Sequence, residues 1–408
     1  MSNSFSVIPV RQLTNQIYQN LWRPLRRLGM QTALNLWGQI PANNYWESAQ
    51  HYYEYASQKE TPGLGYEVLI PAHQERITPP WTVTGEIPPT FQQTEFHIPA
   101  AFCYQIPHAR VASPYGDVIA PDGKLIDDHN QESGRRPHER SVCTLKFLPA
   151  QETNRTIGVI AGVKGGSNYY HFLVDVLPRI YLLKCSRFWS EIDLIYANKF
   201  LPGLQKLKPL LSLADLGEKA IFWADAYSHL RGQSVVATSL TGLPGMSYFK
   251  PHWVFEFLRS TYLSQGKCPD MPRTKLYISR ARAGFRRVLN EAEILDYLIP
   301  LGYQPVWLED LSFAEQVGLF QQAEQIIAPH GAGLANLIWC QPGAKVIEFF
   351  SPQYLPECYW VIAKQIGLSY GYLVGKNQPD MLSASDVRKH HIWVDMSELA
   401  QGIDWLAS

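Results

Sequence analysis

The chain has 408 residues, 46% of them hydrophobic and 18% charged, with 36 lysines plus arginines balanced by 36 aspartates plus glutamates. That length and composition suit two or three globular domains and exclude a disordered chain, while the zero net charge argues against a general nucleic-acid binder. The six cysteines (Cys103, Cys143, Cys185, Cys268, Cys340, Cys358) contain no C-x-x-C pair, so no zinc site is expected, and free thiols in a reducing cytosol are the default.

The first segment, residues 1–50, holds Arg11, Arg23, Arg26 and Arg27 before its first acid, Glu47. Leu13, Ile17, Leu21, Leu25 and Leu28 recur at helical spacing with Trp22 beside them. This predicts a basic amphipathic helix, interrupted or restarted at Pro24. Such a helix suits an anionic membrane surface, with contact through residues 11–40; the alternative is a helix docked on the protein's own body. No apolar run precedes a small-residue cleavage site, and no stretch approaches the ~20 apolar residues of a membrane span. The expected location is therefore the cytoplasm, peripheral to the inner membrane face.

Residues 51–150 are rich in proline, glycine and short β-prone runs such as "PPWTVTGEIPPTF" and "SPYGDVIAPDGKLIDDH". They predict an irregular β-rich region, with Asp122–Gly123 as a hairpin turn.

From Thr156 the pattern becomes alternating. "TIGVIAGV" reads as a buried strand, "KGG" as a turn, and Ser167 as the cap of a helix through "NYYHFLVDVLPRIYLLKC". Strands follow at "IDLIYAN", "KAIFW" and "SVVAT", with a helix near "LQKLKPLLSL". Residues 151–268 thus form one parallel-sheet domain. After the linker "SQGKCPDMPRT", residues 269–380 repeat the scheme. Strands fall at "KLYIS", "YQPVWL", "QIIA", "KVIEFF" and "YGYLV". Helices start at Asn290–Glu293, at the capping box Ser312–Glu315, at "LANLIW" and at "ECYWVIAKQI". The tail, residues 381–408, is expected to pack back on the N-terminal domain.

Parallel sheets bind ligands beyond the carboxyl ends of their strands, and "QIIA" ends in "PHGAG". Gly331 and Gly333 allow close backbone approach, the next helix offers free N–H groups to a phosphate, and His330 can add a hydrogen bond. This is not G-x-G-x-x-G, since Asn336 holds the last position, and alone it also fits a structural turn. Arg280 and Arg282 follow "KLYIS", with Arg286 and Arg287 beyond, and arginine forks match diphosphate oxygens. Glu348 ends the next strand, where a carboxylate can accept from ribose hydroxyls. In the other domain His171 and Asp175 stand at i, i+4 on one helix face, with Arg179 a further turn on. A histidine held by a carboxylate is a competent base near neutral pH; the bland reading is a polar cluster that ties down the Gly165–Gly166 turn. No Asp-x-Asp triplet occurs, which disfavours a metal-held diphosphate.

In order, "NYYHFLVDVLPR", "LYISRARAGFRR" and "IIAPHGAGLANLIWCQPGAKVIEFF" resemble glycosyltransferase family 61, over about residues 155–375. Bacterial members act in capsular polysaccharide biosynthesis; plant xylosyltransferases and the EGF-domain O-GlcNAc transferase are also relatives. The resemblance implies an α/β protein of GT-B type, two facing Rossmann-like domains, here with an extra N-terminal helical and β-rich region. It implies inverting transfer from a nucleotide sugar, commonly a UDP-sugar, to a glycan or lipid-linked glycan acceptor. The nucleotide sugar is a substrate, and neither a cofactor nor a metal is expected.

By motif position Arg280, Arg282, Arg287, His330, Gly331, Ala332, Gly333, Asn336 and Glu348 fall on the donor side. Gly166, Asn168 and Arg179 fall on the acceptor side, and His171, Asp175 and Arg280 are the catalytic set. The base is assigned to His171, oriented by Asp175, with Asp175 itself as the alternative. Other readings are a non-catalytic nucleotide-sugar or glycan-binding protein on the same fold, and a nucleotide-sugar oxidoreductase, which the missing G-x-G-x-x-G disfavours.

Overall fold

A computed structural model describes residues 23–408 except 130, 131, 133, 134, 244–247, 268–273 and 377–385. The expected helix positions Leu13, Ile17, Leu21 and Trp22 lie outside the described residues, as does Cys268. A helix α1 (Arg23–Trp37) is present among the described residues and includes Pro24. Among the described residues no helix is long and apolar enough to cross a membrane.

Strands β1 (Gly65–Ile70), β2 (Trp81–Thr82) and β3 (Ala101–Pro107) precede the alternating part of the chain. Then come β4 (Thr156–Val159), β5 (Leu194–Asn198), β6 (Ala220–Ala224) and β7 (Ser234–Thr238). They form a six-stranded sheet in the order β6-β5-β4-β7-β3-β1. The four strands β4–β7 are parallel; β3 pairs antiparallel with β7, and β1 antiparallel with β3. The alternation after Thr156 is therefore borne out, but residues 51–150 are not a separate region: β1 and β3 complete the sheet of residues 151–268. The Asp122–Gly123 hairpin forms, with Gly123 at φ +84, inside another sheet of short strands.

The second parallel unit holds β8 (Lys275–Ile278), β9 (Gln304–Val306), β10 (Gln325–Pro329), β11 (Lys345–Phe350) and β12 (Ser369–Val374). Their order is β9-β8-β10-β11-β12, all parallel, with β2 added parallel at the β12 edge. The strand order reverses between β8 and β10. This is the switch point at which crossover connections leave on opposite faces and a crevice opens. Both sheets contribute to one continuous core, in which Leu177, Ile195 and Val236 join Ile326, Val346, Trp339 and Trp360. Each fully buried side chain of this size contributes about 1.5–3 kcal/mol relative to exposure.

The tail expectation is corrected. Helix α2 (Met396–Ala407), capped by Asp395, lies on the C-terminal sheet, where Leu399 and Leu406 are buried with Ile347 and Leu373. Trp405 stacks on Trp81 at 4.8 Å. Its apolar stripe covers a sheet face that would otherwise meet water.

Candidate functional site

A helix over residues 169–185 follows β4. Asn168, and not Ser167, caps it, accepting the His171 N–H through its side chain. Residues Phe172–Val176 widen into a π turn, in which Leu177 N–H reaches the Phe172 carbonyl. Pro178 explains the slip: it has no N–H to donate one turn back, so the hydrogen-bond register shifts by a residue. Arg179 Nε donates to the Asp175 carbonyl at 3.1 Å.

On this helix His171 Nδ1 stands 2.6 Å from Asp175 Oδ2. Asp175 Oδ1 accepts from Lys250 Nζ at 2.6 Å and from Thr241 Oγ1 at 3.3 Å. Burial alone would raise the Asp175 carboxyl. The Lys250 ammonium and the His171 hydrogen bond outweigh it, and the group is held below its ordinary value. Asp175 is thus a fixed anion with both oxygens occupied. His171 Nε2 has no partner among the described residues.

Three expected neighbours of this pair do something else. Gly166 is buried, and a side chain there would strike the Lys199 carbonyl, so it is a packing glycine. Asn168 is the helix cap just described. Arg179 is 2% exposed, hydrogen bonds the His129 carbonyl at 3.0 Å, and is pulled down to about 10 by burial. It ties the helix to the buried His129 segment and has no face toward a ligand.

Across the interface, Arg280 follows β8 and Gly331 follows β10, at the switch point. They touch: a methyl on Gly331 would sit 2.1 Å from Arg280 Nη1. Only glycine lets the guanidinium lie against this backbone, whose φ of 177 is otherwise ordinary. Burial, then the nearby Arg286, pull Arg280 down to about 10, so it stays cationic at neutral pH. Nε of Arg280 and Nε of Arg286 are buried without hydrogen-bond partners. A cleft of about 270 Å³ opens here, lined by Ser279, Arg280, Arg282, Leu308, Gly331 and Gly333. The segment Ala332–Trp339 is a 3₁₀ helix, whose first free N–H groups point back to the same turn. An adjoining, more apolar cavity of about 320 Å³ is lined by Tyr169, Leu207, Phe313, Gln316, Ala332 and Gly333, from both sheets' elements.

Other expected contacts of this side are placed differently. Arg282 is at the rim, paired with Asp310 through both carboxylate oxygens at 2.7 and 2.8 Å. Arg287 is exposed and outside the cleft lining, its backbone carbonyl held by Ile392 N–H. Asn336 is wholly buried: its Oδ1 accepts from Tyr169 OH at 2.8 Å and Trp339 Nε1 at 3.0 Å, and its Nδ2 donates to Gln316 and Gly333. It joins the two halves and has nothing left for a ligand.

Glu348, expected at a ribose, is 0% exposed. Its Oε1 lies 2.5 Å from His330 Nδ1, and its Oε2 accepts from Tyr370 OH at 2.5 Å. Burial pushes the Glu348 carboxyl up, and burial with the Arg286 and Arg280 charges pushes the His330 imidazole down. The strand "KVIEFF" carried the signal: one acid inside a fully apolar run of a central strand points inward with its neighbours. Lys250, Thr241 and Tyr370 were not anticipated. Each is far in sequence from the residue it serves, and no spacing rule reaches them.

The site therefore joins two histidine–carboxyl pairs, one from each half. The rings of Tyr170 and Tyr359 lie between them, 5.8 Å apart; Tyr170 packs on His171 at 5.2 Å and Tyr359 on His330 at 5.1 Å.

Residues 169–347 match the family model of Glycosyltransferase 61. The resemblance read from the sequence is borne out over that segment. A protein O-linked-mannose beta-1,4-N-acetylglucosaminyltransferase 2 from Tetraodon nigroviridis is 31% identical over 291 residues, covering 63% of this chain and 48% of that protein. A rice beta-1,2-xylosyltransferase is 25% identical over 354 residues, covering 74% of this chain and 62% of its own. An EGF domain-specific O-linked N-acetylglucosamine transferase from Drosophila melanogaster is 34% identical over 107 residues, covering 26% of this chain and 20% of its own. The chain spans about half the length of the mannose-directed relatives it matches.

Proposed function

We propose that this chain, which belongs to glycosyltransferase family 61 through residues 169–347, moves a sugar from a nucleotide sugar to a glycan hydroxyl. The donor is of the UDP class, the anomeric carbon inverts, and no metal ion takes part. The two parallel sheets serve as the facing halves of a GT-B enzyme. One observation carries the reading: Arg280 and the Gly331–Gly333 turn meet at a switch point, with a histidine–carboxylate pair from the other half close by. The relatives' names, which specify N-acetylglucosaminyl and xylosyl transfer, support it.

The chemistry follows from the side chains. The acceptor hydroxyl gives its proton to His171 Nε2 as its oxygen bonds the anomeric carbon. The bond from that carbon to the diphosphate oxygen breaks on the opposite face, and the diphosphate leaves with the electron pair. Charge grows on the leaving group, so Arg280 and the amides near Gly333 stabilise the transition state more than the ground state. Asp175 is the weaker candidate for base because Lys250, Thr241 and His171 already occupy its oxygens. Its charge stabilises the imidazolium that forms.

The acceptor belongs to a surface polysaccharide in this reading, and the protein rests on the inner membrane face. Support comes from Leu36, Trp37 and Ile40, which are 67%, 63% and 51% exposed at the end of α1 and just beyond. Transfer assays with several UDP-sugars in EDTA test the activity, and UDP titration tests the site. No association at millimolar UDP overturns the reading; binding without transfer leaves the non-catalytic alternative. Flotation with anionic liposomes that weakens with salt is the expected membrane result, and loss of it on deleting residues 1–40 is the check.

A further inference from the structure

The glycosyltransferase reading leaves open what His330 offers the donor, and Glu348 decides it. Glu348 lies inside β11 between Ile347 and Phe349, both wholly buried. Its two oxygens are spent on His330 Nδ1 and Tyr370 OH, each at 2.5 Å. The His330 ring is held by Phe350, Tyr354 and Tyr359, at centroid distances of 5.5, 5.3 and 5.1 Å. With Nδ1 committed, Nε2 is the ring nitrogen without a partner among the described residues. The next residue, Gly331, carries the Arg280 guanidinium against its backbone. The Arg280 charge also acts on the His330 ring, so the imidazole and the arginine fork are close neighbours.

The charge count follows from burial. An ionised Glu348 beside a neutral His330 would leave a negative charge in the core with no lysine or arginine bonded to it. That arrangement is costly. One proton shared between Oε1 and Nδ1 makes the pair neutral overall. Whether the proton sits on the oxygen or the nitrogen, Nε2 then carries hydrogen. Without the shared proton, Nδ1 holds the ring's only hydrogen, and Nε2 is left with a lone pair.

The geometry points to Glu348, its carboxyl anchored by Tyr370, as the positioning residue that keeps His330 in the form with hydrogen on Nε2, so that it donates to the donor's diphosphate beside Arg280. This role rests on the proposed function and adds a residue that touches no substrate.

The test uses the full chain labelled with ¹⁵N-histidine. The His330 resonance is identified by its loss in His330→Gln, and UDP affinity is measured by calorimetry. The expected form is protonated at Nε2, with and without UDP. Glu348→Gln, whose amide oxygen accepts from Tyr370 and whose NH₂ donates to Nδ1, keeps that form and holds UDP affinity within about threefold. Glu348→Leu mixes the tautomers and weakens UDP by roughly 10-fold or more. A purely structural role would lower stability in these variants without moving the tautomer. A bare Nε2 in the unsubstituted protein overturns the assignment, as does a Glu348→Gln protein as impaired as Glu348→Leu. If UDP binds the unsubstituted protein and His330→Gln equally, this role falls and the function stands. If the unsubstituted protein binds no UDP, both fall.

Discussion

The two halves of the molecule each pair a histidine with a carboxyl group, and the neighbours tune the pairs in opposite directions. Asp175 meets Lys250 at 2.6 Å and is held ionised despite its burial. Glu348 meets a tyrosine instead of a cation, and burial pushes its carboxyl up. The first pair leaves His171 with an anion behind it, able to take a proton. The second leaves His330 with a shared proton behind it, able to offer a hydrogen bond. One motif, placed in two electrostatic settings, yields an acceptor and a donor on either side of a cleft.

The comparison breaks first at His171. His171→Ala is expected to lower turnover about 10²–10⁴-fold while UDP still binds, read by steady-state transfer and calorimetry. Full turnover in both His171→Ala and Asp175→Ala would remove the base assignment. Lys250→Met should cost about 3–5 kcal/mol of unfolding free energy in urea titrations, because it strips a buried carboxylate of its cation. A depressed carboxyl contributes stability above its ordinary range and loses it as pH falls through the folded-state value. Lys250→Met raises that value, so acid unfolding should begin at higher pH.

Gly331→Ala sharpens the other side. The new methyl displaces the end of a flexible arginine, so stability should change little while UDP affinity falls about 10-fold through loss of the charge-assisted bonds. Glu348 titrates with the opposite sign to Asp175: a raised carboxyl stabilises fully below its ordinary range and loses that contribution as pH rises. Glu348→Gln should therefore flatten the decline of stability toward alkaline pH, a smaller effect measured by denaturation across pH. Arg282→Ala should matter least, within about twofold in UDP affinity, since its exposed guanidinium already pairs with Asp310.

Much of this was legible in the residues. Apolar runs between turns gave the parallel strands, and i, i+4 spacing placed His171 on Asp175. The Ser312–Glu315 capping box formed as read. What was not legible depends on pairing across long stretches of chain. β1 and β3 join a sheet whose other strands begin about fifty residues after β3, because an open edge accepts any extended partner. Asn336 was read as a ligand contact by its motif position, and Glu348 as a carboxylate at a strand end within reach of a ribose. Their partners, Tyr169 and Tyr370, come from other elements and claim them for the interior.

Pro178 has a reach beyond its own turn. An unbroken α-helix advances about 100° per residue, so restoring a donor there would let the register slide back and swing Asp175 away from Lys250. An imino acid three residues further along the chain thereby sets the direction in which a carboxylate faces. The Asp175–His171 pair is aimed by the lack of a single hydrogen.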